Sequence, residues 1–378
     1  MGAITRTISN NLTTDLGGVG GVNFRNLLIN GDMSLAQRAA SKASISSGNT
    51  THTCDQWKTY INSAGTWTQT QESLTSGEAY ENGFIKSLKM DCTTANGSLS
   101  AGSFLIVAQS IEAQFCQTIR KGSPGAKQLT ASFWVKSTKT GTNIVQFVGL
   151  DNTVRIVAKS YTINASNTWE KKTLTIPADT DTNGKIANDN GEGLRMLFWV
   201  AAGSNYTSGT LATTWGTNTD ANRAVGQINN ADSTSNNFEI TGVQLETGPS
   251  ASDFEFLPPD VHLERCQRYF QHHIKNPNEA YTGGFRSATS VQMGVQMFTQ
   301  MRGQPTATYQ GLNCHDLADG QNLDASAISF GAVSGTYESA VWCIVTCDSG
   351  GSNGDVSIVY GKDTESTGIL GFFMDASF

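Results

Sequence analysis

The stretch Phe238–Phe256, FEITGVQLETGPSASDFEF, decides the reading of this chain. Phe238, Ile240, Val243 and Leu245 alternate with polar residues, as on a strand buried on one face, and the alternation slips by one position at Gly242. A slip at a glycine predicts a β-bulge. The Gly-Pro-Ser turn at 248–250 then releases the strand, so Phe254 and Phe256 are expected to fold back onto the same core. The segment reads as the closing strand of a β-sandwich. Pro258-Pro259 follow as a hinge, and Asp260–Gln271 shows helical spacing with Asp260 as its cap.

Working outward, residues 25–257 hold further short strand candidates separated by polar turns. Among them are Phe84–Met90, Phe104–Gln109, Leu129–Val135, Ile144–Leu150, Val154–Ala158, Thr173–Ile176 and Leu194–Ala201. No helical crossovers intervene, which favours two packed sheets over a parallel α/β fold. Gln109–Phe115 is expected to form a short helical turn. Beyond the hinge, Val291, Met293, Val295 and Met297 alternate, as do Val341, Cys343, Val345 and Cys347. These runs predict a second, smaller antiparallel β domain closed by Phe372, Phe373 and Phe378. The expected organisation is therefore an arm at 1–24, a sandwich at 25–257, a hinge and short helix at 258–275, and a β domain at 276–378. No repeat of 20 to 50 residues appears, which argues against a parallel β-helix.

Composition narrows the function. Only 15% of the 378 residues are charged, against about 25% in ordinary domains, so Ser, Thr, Asn, Gln and Gly must supply the polar surface. The net charge is −7 and no Lys/Arg block occurs, which excludes a nucleic-acid footprint. No apolar run is long enough to span a membrane, and no signal-peptide pattern opens the chain. Seven cysteines without a tight framework suit assembly in a reducing cytoplasm.

Several motifs add a family. NLLINGDMSLAQR (Asn26–Arg38), CDQWKTY (Cys54–Tyr60), LTASFWVKSTKTG (Leu129–Gly141), NTWEKKTLTIP (Asn167–Pro177), VQLETG with FEF, ERCQRYF and QMRGQPT (Gln300–Thr306) occur in that order. Together they resemble bacteriophage tail-fibre and related virion adhesion proteins, many of which carry a jelly-roll module similar to carbohydrate-binding modules. The resemblance runs from residue 2 to about residue 310. It implies an all-β fold with a jelly-roll β-sandwich, a homotrimer, residence on the virion and binding to a host-surface polysaccharide. Residues 1–24, where Ile4, Ile8, Leu12 and Leu16 recur every four positions, would anchor the chain to a tail or capsid protein. A capsid-bound decoration fibre and a polysaccharide-degrading tail spike are the alternatives. Jelly rolls of this type often hold a structural calcium ion, and the corresponding acidic residues here are Asp32 and Glu246.

Catalytic patterns are weak. No phosphate loop, G-x-S-x-G or H-E-x-x-H occurs. The carboxylate pairs Asp179/Asp181 and Asp189/Glu192 lie in turns, where Asp commonly bonds its own backbone. His272-His273 would sit about 100° apart on a helix, a poor metal geometry. Cys343 and Cys347 share a strand face and read as core residues. The expectation is a non-enzymatic protein. For sugar recognition, which needs an exposed aromatic face, the candidates are Tyr206, Trp215 and Trp67. Tyr206 and Trp215 rank first because the polar segment 203–235 lacks apolar residues to bury them.

Overall fold

The computed structural model describes residues 24–274, 279–330, 340–362 and 371–378. The arm expected over residues 1–24 lies, but for Phe24, outside the described residues. The chain divides into two units: one holds the residues up to Ala36 together with Ala40–Leu257, the other Gln37–Ala39 with Pro258–Phe378. Both are built almost wholly from antiparallel strands.

The first unit contains β1 (Ser41–Ile45), β2 (Thr50–His52), β3 (Lys58–Asn62), β4 (Thr66–Ser73), β5 (Lys86–Thr94), β6 (Phe104–Glu112), β7 (Leu129–Ser137), β8 (Gly141–Gly149), β9 (Arg155–Ile163), β10 (Glu170–Ile176), β11 (Glu192–Ala202), β12 (Gly216–Thr217) and β13 (Asn237–Thr247). A six-stranded sheet, β1-β4-β5-β13-β7-β10, faces a seven-stranded sheet, β12-β9-β8-β11-β6-β3-β2. The chain passes repeatedly from one sheet to the other, the winding of a jelly-roll sandwich. Between the sheets lie fully buried Trp57, Trp67, Phe133, Phe147, Phe198 and Phe238. The expected helical turn at Gln109–Phe115 begins later, as a 3-10 helix over Ala113–Ile119, because β6 continues to Glu112.

Strand β13, last of this unit in sequence, is central in space, flanked by β5 and β7. Its register shifts between Thr241 and Gln244, and Gly242 sits at φ +59°. A Cβ at Gly242 would come within 2.6 Å of the Phe84 ring, so conformation and space both require glycine here. The bulge also reshapes the edge of the strand. Pairing with β5 stops at Ile240, and the NLLING segment takes over beyond it. Leu27 N–H donates to Leu245 O at 2.9 Å and Val243 N–H to Gly31 O at 2.8 Å. Asn26 donates from Nδ2 to Val243 O at 3.0 Å and accepts from Leu245 N–H at 3.0 Å. The two most informative sequence motifs are thus one local structure.

One expectation about this strand is corrected. Both faces of β13 are buried, not one. The return segment covers the outer face, where Glu255 N–H donates to Gln244 Oε1 at 2.9 Å. Phe254 and Phe256 accordingly pack on Phe84, with centroids 5.0 and 5.2 Å away, Phe254 within a separate outer cluster with Trp134 and Trp169 and Phe256 half exposed beside it. They do not join the core between the sheets.

The second unit opens with the helix Pro259–Gln267, whose N-cap position is Pro258, so Asp260 lies inside the first turn and is not the cap. It continues with β14 (Phe270–His273), β15 (Ala280–Ser287), β16 (Ser290–Gln296), β17 (Thr306–Gln310), β18 (Leu312–Asp316), β19 (Asn322–Phe330), β20 (Ala340–Cys347), β21 (Val356–Gly361) and β22 (Gly371–Asp375). Six strands close into a barrel, β15-β16-β20-β19-β18-β21, and three form the sheet β14-β22-β17. Val291, Met293, Val295, Val341, Cys343 and Val345 are buried in its core, as their alternation predicts.

Residues 37–39 complete this unit from far upstream in the sequence. The Arg38 guanidinium carbon lies 3.9 Å from the Phe270 ring centroid, and its Nη2 meets Asp375 Oδ2 at 3.0 Å. Burial pushes the Asp375 pKa up, but the charge of Arg38 and the hydrogen bonds from Arg38 and Ser377 together outweigh it, and the net shift is downward.

Candidate functional site

Strand β20 reads AVWCIVTC. Val341, Cys343 and Val345 point inward, so Trp342, Ile344 and Thr346 face out from the barrel. Trp342 is 53% exposed, an unusual state for the largest apolar side chain. Directly opposite in β16 stands Gly294. A Cβ placed there would lie 3.9 Å from Trp342 Cζ3, so the indole leans over bare backbone. Gln292 stands opposite Ile344, Gln296 opposite Ala340, and Ser329 of β19 borders Ile344 on the other side. None of these neighbours is charged. The arrangement is a flat aromatic plate with amides and hydroxyls beside it. Such a plate can stack on the C–H face of a sugar ring while the polar rim bonds its hydroxyls.

The aromatics nominated from sequence sit elsewhere, in the first unit. Trp67 is fully buried between the sheets and donates from Nε1 to Ala64 O at 2.7 Å. It cannot offer a face to an external sugar, which corrects its nomination. Tyr206 and Trp215 are partly buried, and the premise for them also changes. Tyr206, Leu211 and Ala212 find apolar partners on the outer face of the seven-stranded sheet, among Ile106, Ile144, Ile156, Leu197 and Trp199, whereas Trp215 packs against the core between the sheets. Tyr206 packs against Trp199 and Phe104, with centroids at 5.2 and 5.8 Å. Trp215 donates from Nε1 to Pro177 O at 2.8 Å, and Lys121 Nζ lies 4.4 Å from its ring centroid. Tyr206 lies beside β11, in the middle of the seven-stranded sheet, and Trp215 beside β12 at its edge, about three strand spacings or roughly 14 Å apart. They do not form one platform.

Beneath Trp215 lies an ion cluster that absorbs one proposed catalytic pair. Arg155 holds Asp179 with two bonds, at 2.9 and 3.0 Å, Lys121 adds a third at 2.8 Å, and Arg155 Nη1 reaches Asp181 at 2.7 Å. Burial would raise the Asp179 pKa, but these hydrogen bonds outweigh it and hold the carboxyl below its ordinary range. A carboxylate so engaged is not poised as a general acid. Of the second pair, Asp189 accepts from Gly191 N–H at 2.8 Å and Glu192 from Arg195 Nε at 2.6 Å.

Asp32 and Glu246, the pair considered for calcium, do not converge. The Asp32 carbonyl accepts from Thr241 Oγ1 at 3.3 Å, whereas Glu246 accepts from Ser252 N–H at 2.8 Å and Ser252 Oγ at 2.7 Å. Thr241 and Glu246 are five residues apart on β13, about 16 Å along a strand. His272 and His273 also move from their expected place, since β14 pairs with β22 where a helix end was expected. His273 is buried, stacked on Phe298 and Phe372 with centroids at 4.4 and 4.9 Å. All seven cysteines are buried, and burial raises Cys343 to about 12 and Cys92 to about 11.

Trp342 was not nominated from sequence. Its signal was present in the alternation of 341–347, which assigns it to the outer face. The glycine beneath it belongs to a different strand and appears only once register is known.

No protein-family model and no curated protein matches the chain. Among solved structures, the chain is similar to the enzymatically active domain of bacteriophage CBA120 tailspike protein 4, at 14% identity and TM-score 0.31, over 60% of this chain and 22% of that one. It thus spans under a quarter of the tailspike. It is also similar to a family 4 carbohydrate-binding module, at 11% identity and TM-score 0.29, covering 58% of this chain and 98% of the module. A family 11 carbohydrate-binding module of a Clostridium thermocellum cellulosomal cellulase gives 11% identity and TM-score 0.27, over 57% and 99%. TM-scores this low carry no argument about function.

Proposed function

We propose that this chain is a non-enzymatic adhesion protein that binds a cell-surface glycan through the outer barrel face around Trp342. The observation that carries the reading is a half-exposed tryptophan laid over Gly294 and bordered by glutamines. A plate of this kind recognises the apolar face of a sugar without acid–base chemistry. The finer setting follows the sequence resemblance: a phage tail-fibre subunit, trimeric, attached through residues 1–24 and assembled in the host cytoplasm.

The test is binding of full-length protein to a glycan array and to purified polysaccharide. Trp342→Ala is expected to lower affinity at least about tenfold. Thermal stability should stay within about 0.5 kcal/mol, because the side chain lies outside the core. Unchanged binding by Trp342→Ala would remove this face from consideration. If the variant instead loses self-association in sedimentation, the plate is a contact between copies and not a sugar site. Release of oligosaccharides by the wild-type protein would favour the tail-spike alternative.

A further inference from the structure

At one mouth of the barrel, two fully buried oxygens have no hydrogen-bond partner among the described residues. Asp316, the last residue of β18, stands opposite Ser357 of β21, and both side chains are fully buried. One step deeper the same ladder pairs Cys314 with Val359, so the lumen changes from apolar to oxygen-lined within two residues. Asp316 Oδ1 accepts the Ala318 N–H at 2.9 Å. Among the described residues, Asp316 Oδ2 and Ser357 Oγ have no hydrogen-bond partner. Asp355 precedes Ser357 by two residues, immediately before β21 begins at Val356. Asp319 comes from the turn that Gly320 N–H closes onto Asp316 O at 2.9 Å. One carboxylate oxygen each from Asp316, Asp319 and Asp355 lies within 4.8 Å of the others. Among the described residues, no lysine, arginine or histidine is ion-paired with any of the three.

A bare carboxylate oxygen at full burial is strongly disfavoured unless a cation meets it. Two more carboxylates at this range add repulsion. The unpartnered hydroxyl of Ser357 is an independent sign, since a serine hydroxyl facing an unengaged carboxylate would ordinarily bond to it. Both oxygens are left available to a third party.

We propose that Asp316, Asp319, Asp355 and the Ser357 hydroxyl bind a calcium ion. The donor set is all oxygen, whereas zinc and copper draw on cysteine and histidine. Three carboxylates from a turn and a strand entry, with a hydroxyl, suit the flexible coordination of calcium; magnesium demands a near-ideal octahedron. The ion ties the 316–320 turn to the start of β21 and neutralises the mouth of the barrel. This site shares no residue with Trp342 or with the Asp32 and Glu246 pair.

The test uses full-length protein stripped with EDTA. Excess CaCl2, about a hundredfold over the dissociation constant, is expected to raise Tm by roughly 5 °C. Asp316→Asn is expected to abolish that rise. The stripped variant should unfold at or above the Tm of the stripped wild type, because an uncompensated buried charge has been removed, so a lost response is not a lost fold. Asp355→Asn, at a partly exposed position, should weaken calcium binding at least tenfold by calorimetry. A stripped wild type without a calcium response overturns the proposal. So does an Asp316→Asn variant that responds like wild type, or a response to MgCl2 alone.

Discussion

Asp179 shows how one side chain can govern a region it barely exposes. It is 4% exposed and neutralises both Lys121 and Arg155 beneath the Trp215 ring. Asp179→Asn keeps the shape and leaves two cations without their buried counter-ion. The expected destabilisation is about 3–5 kcal/mol in urea unfolding. The pH dependence has a definite sign. The folded-state pKa of Asp179 is depressed, so its contribution is complete above the unfolded value of about 3.9 and is lost as pH falls through the lower folded value. Wild-type stability should therefore decline more steeply below about pH 4 than that of Asp179→Asn. Parallel curves would show that the cluster contributes nothing through its charge.

At the scale of the element, the bulge in β13 is the feature most exposed to a single substitution. Gly242→Ala must place a side chain at φ +59° and against Phe84. Thermal or denaturant unfolding should show a loss of about 2–3 kcal/mol; a loss under 0.5 kcal/mol would mean that the ring yields freely. This bulge was legible in the sequence because a phase slip in hydrophobic alternation coincides with a glycine. The burial of the strand's outer face was not. Glu239, Gln244 and Glu246 are polar, and polarity reads as exposure until Lys136, Glu255 and Ser252 are seen to satisfy them. The same blindness misjudged Tyr206, whose apolar neighbours lie on the outer face of a sheet, and Trp215, which packs against the core between the sheets, so neither depends on its own loop for cover. Trp342 was half legible: alternation gives its direction, but only register gives Gly294. Local pattern reports what an element presents, and distant chain decides what covers it.

At the scale of the whole molecule, the low charge sets the character of any recognition. With 15% of residues charged and a net charge of −7, long-range attraction to anionic polymers is weak. The neighbours named around Trp342 carry no charge. Glycan binding is therefore expected to change less than about twofold between 0.05 and 0.5 M NaCl in calorimetry. A tenfold fall would point to an acidic polysaccharide gripped by lysine or arginine. No described helix is long and apolar enough to cross a membrane. The placement of Arg38 has its own outcome for anyone dissecting the gene. A fragment begun at codon 258 would omit the guanidinium that stacks on Phe270 and neutralises Asp375, leaving an empty socket and a stranded acid. The second unit is thus not a cassette that can be excised by one cut: its last piece is translated more than two hundred residues before the rest of it.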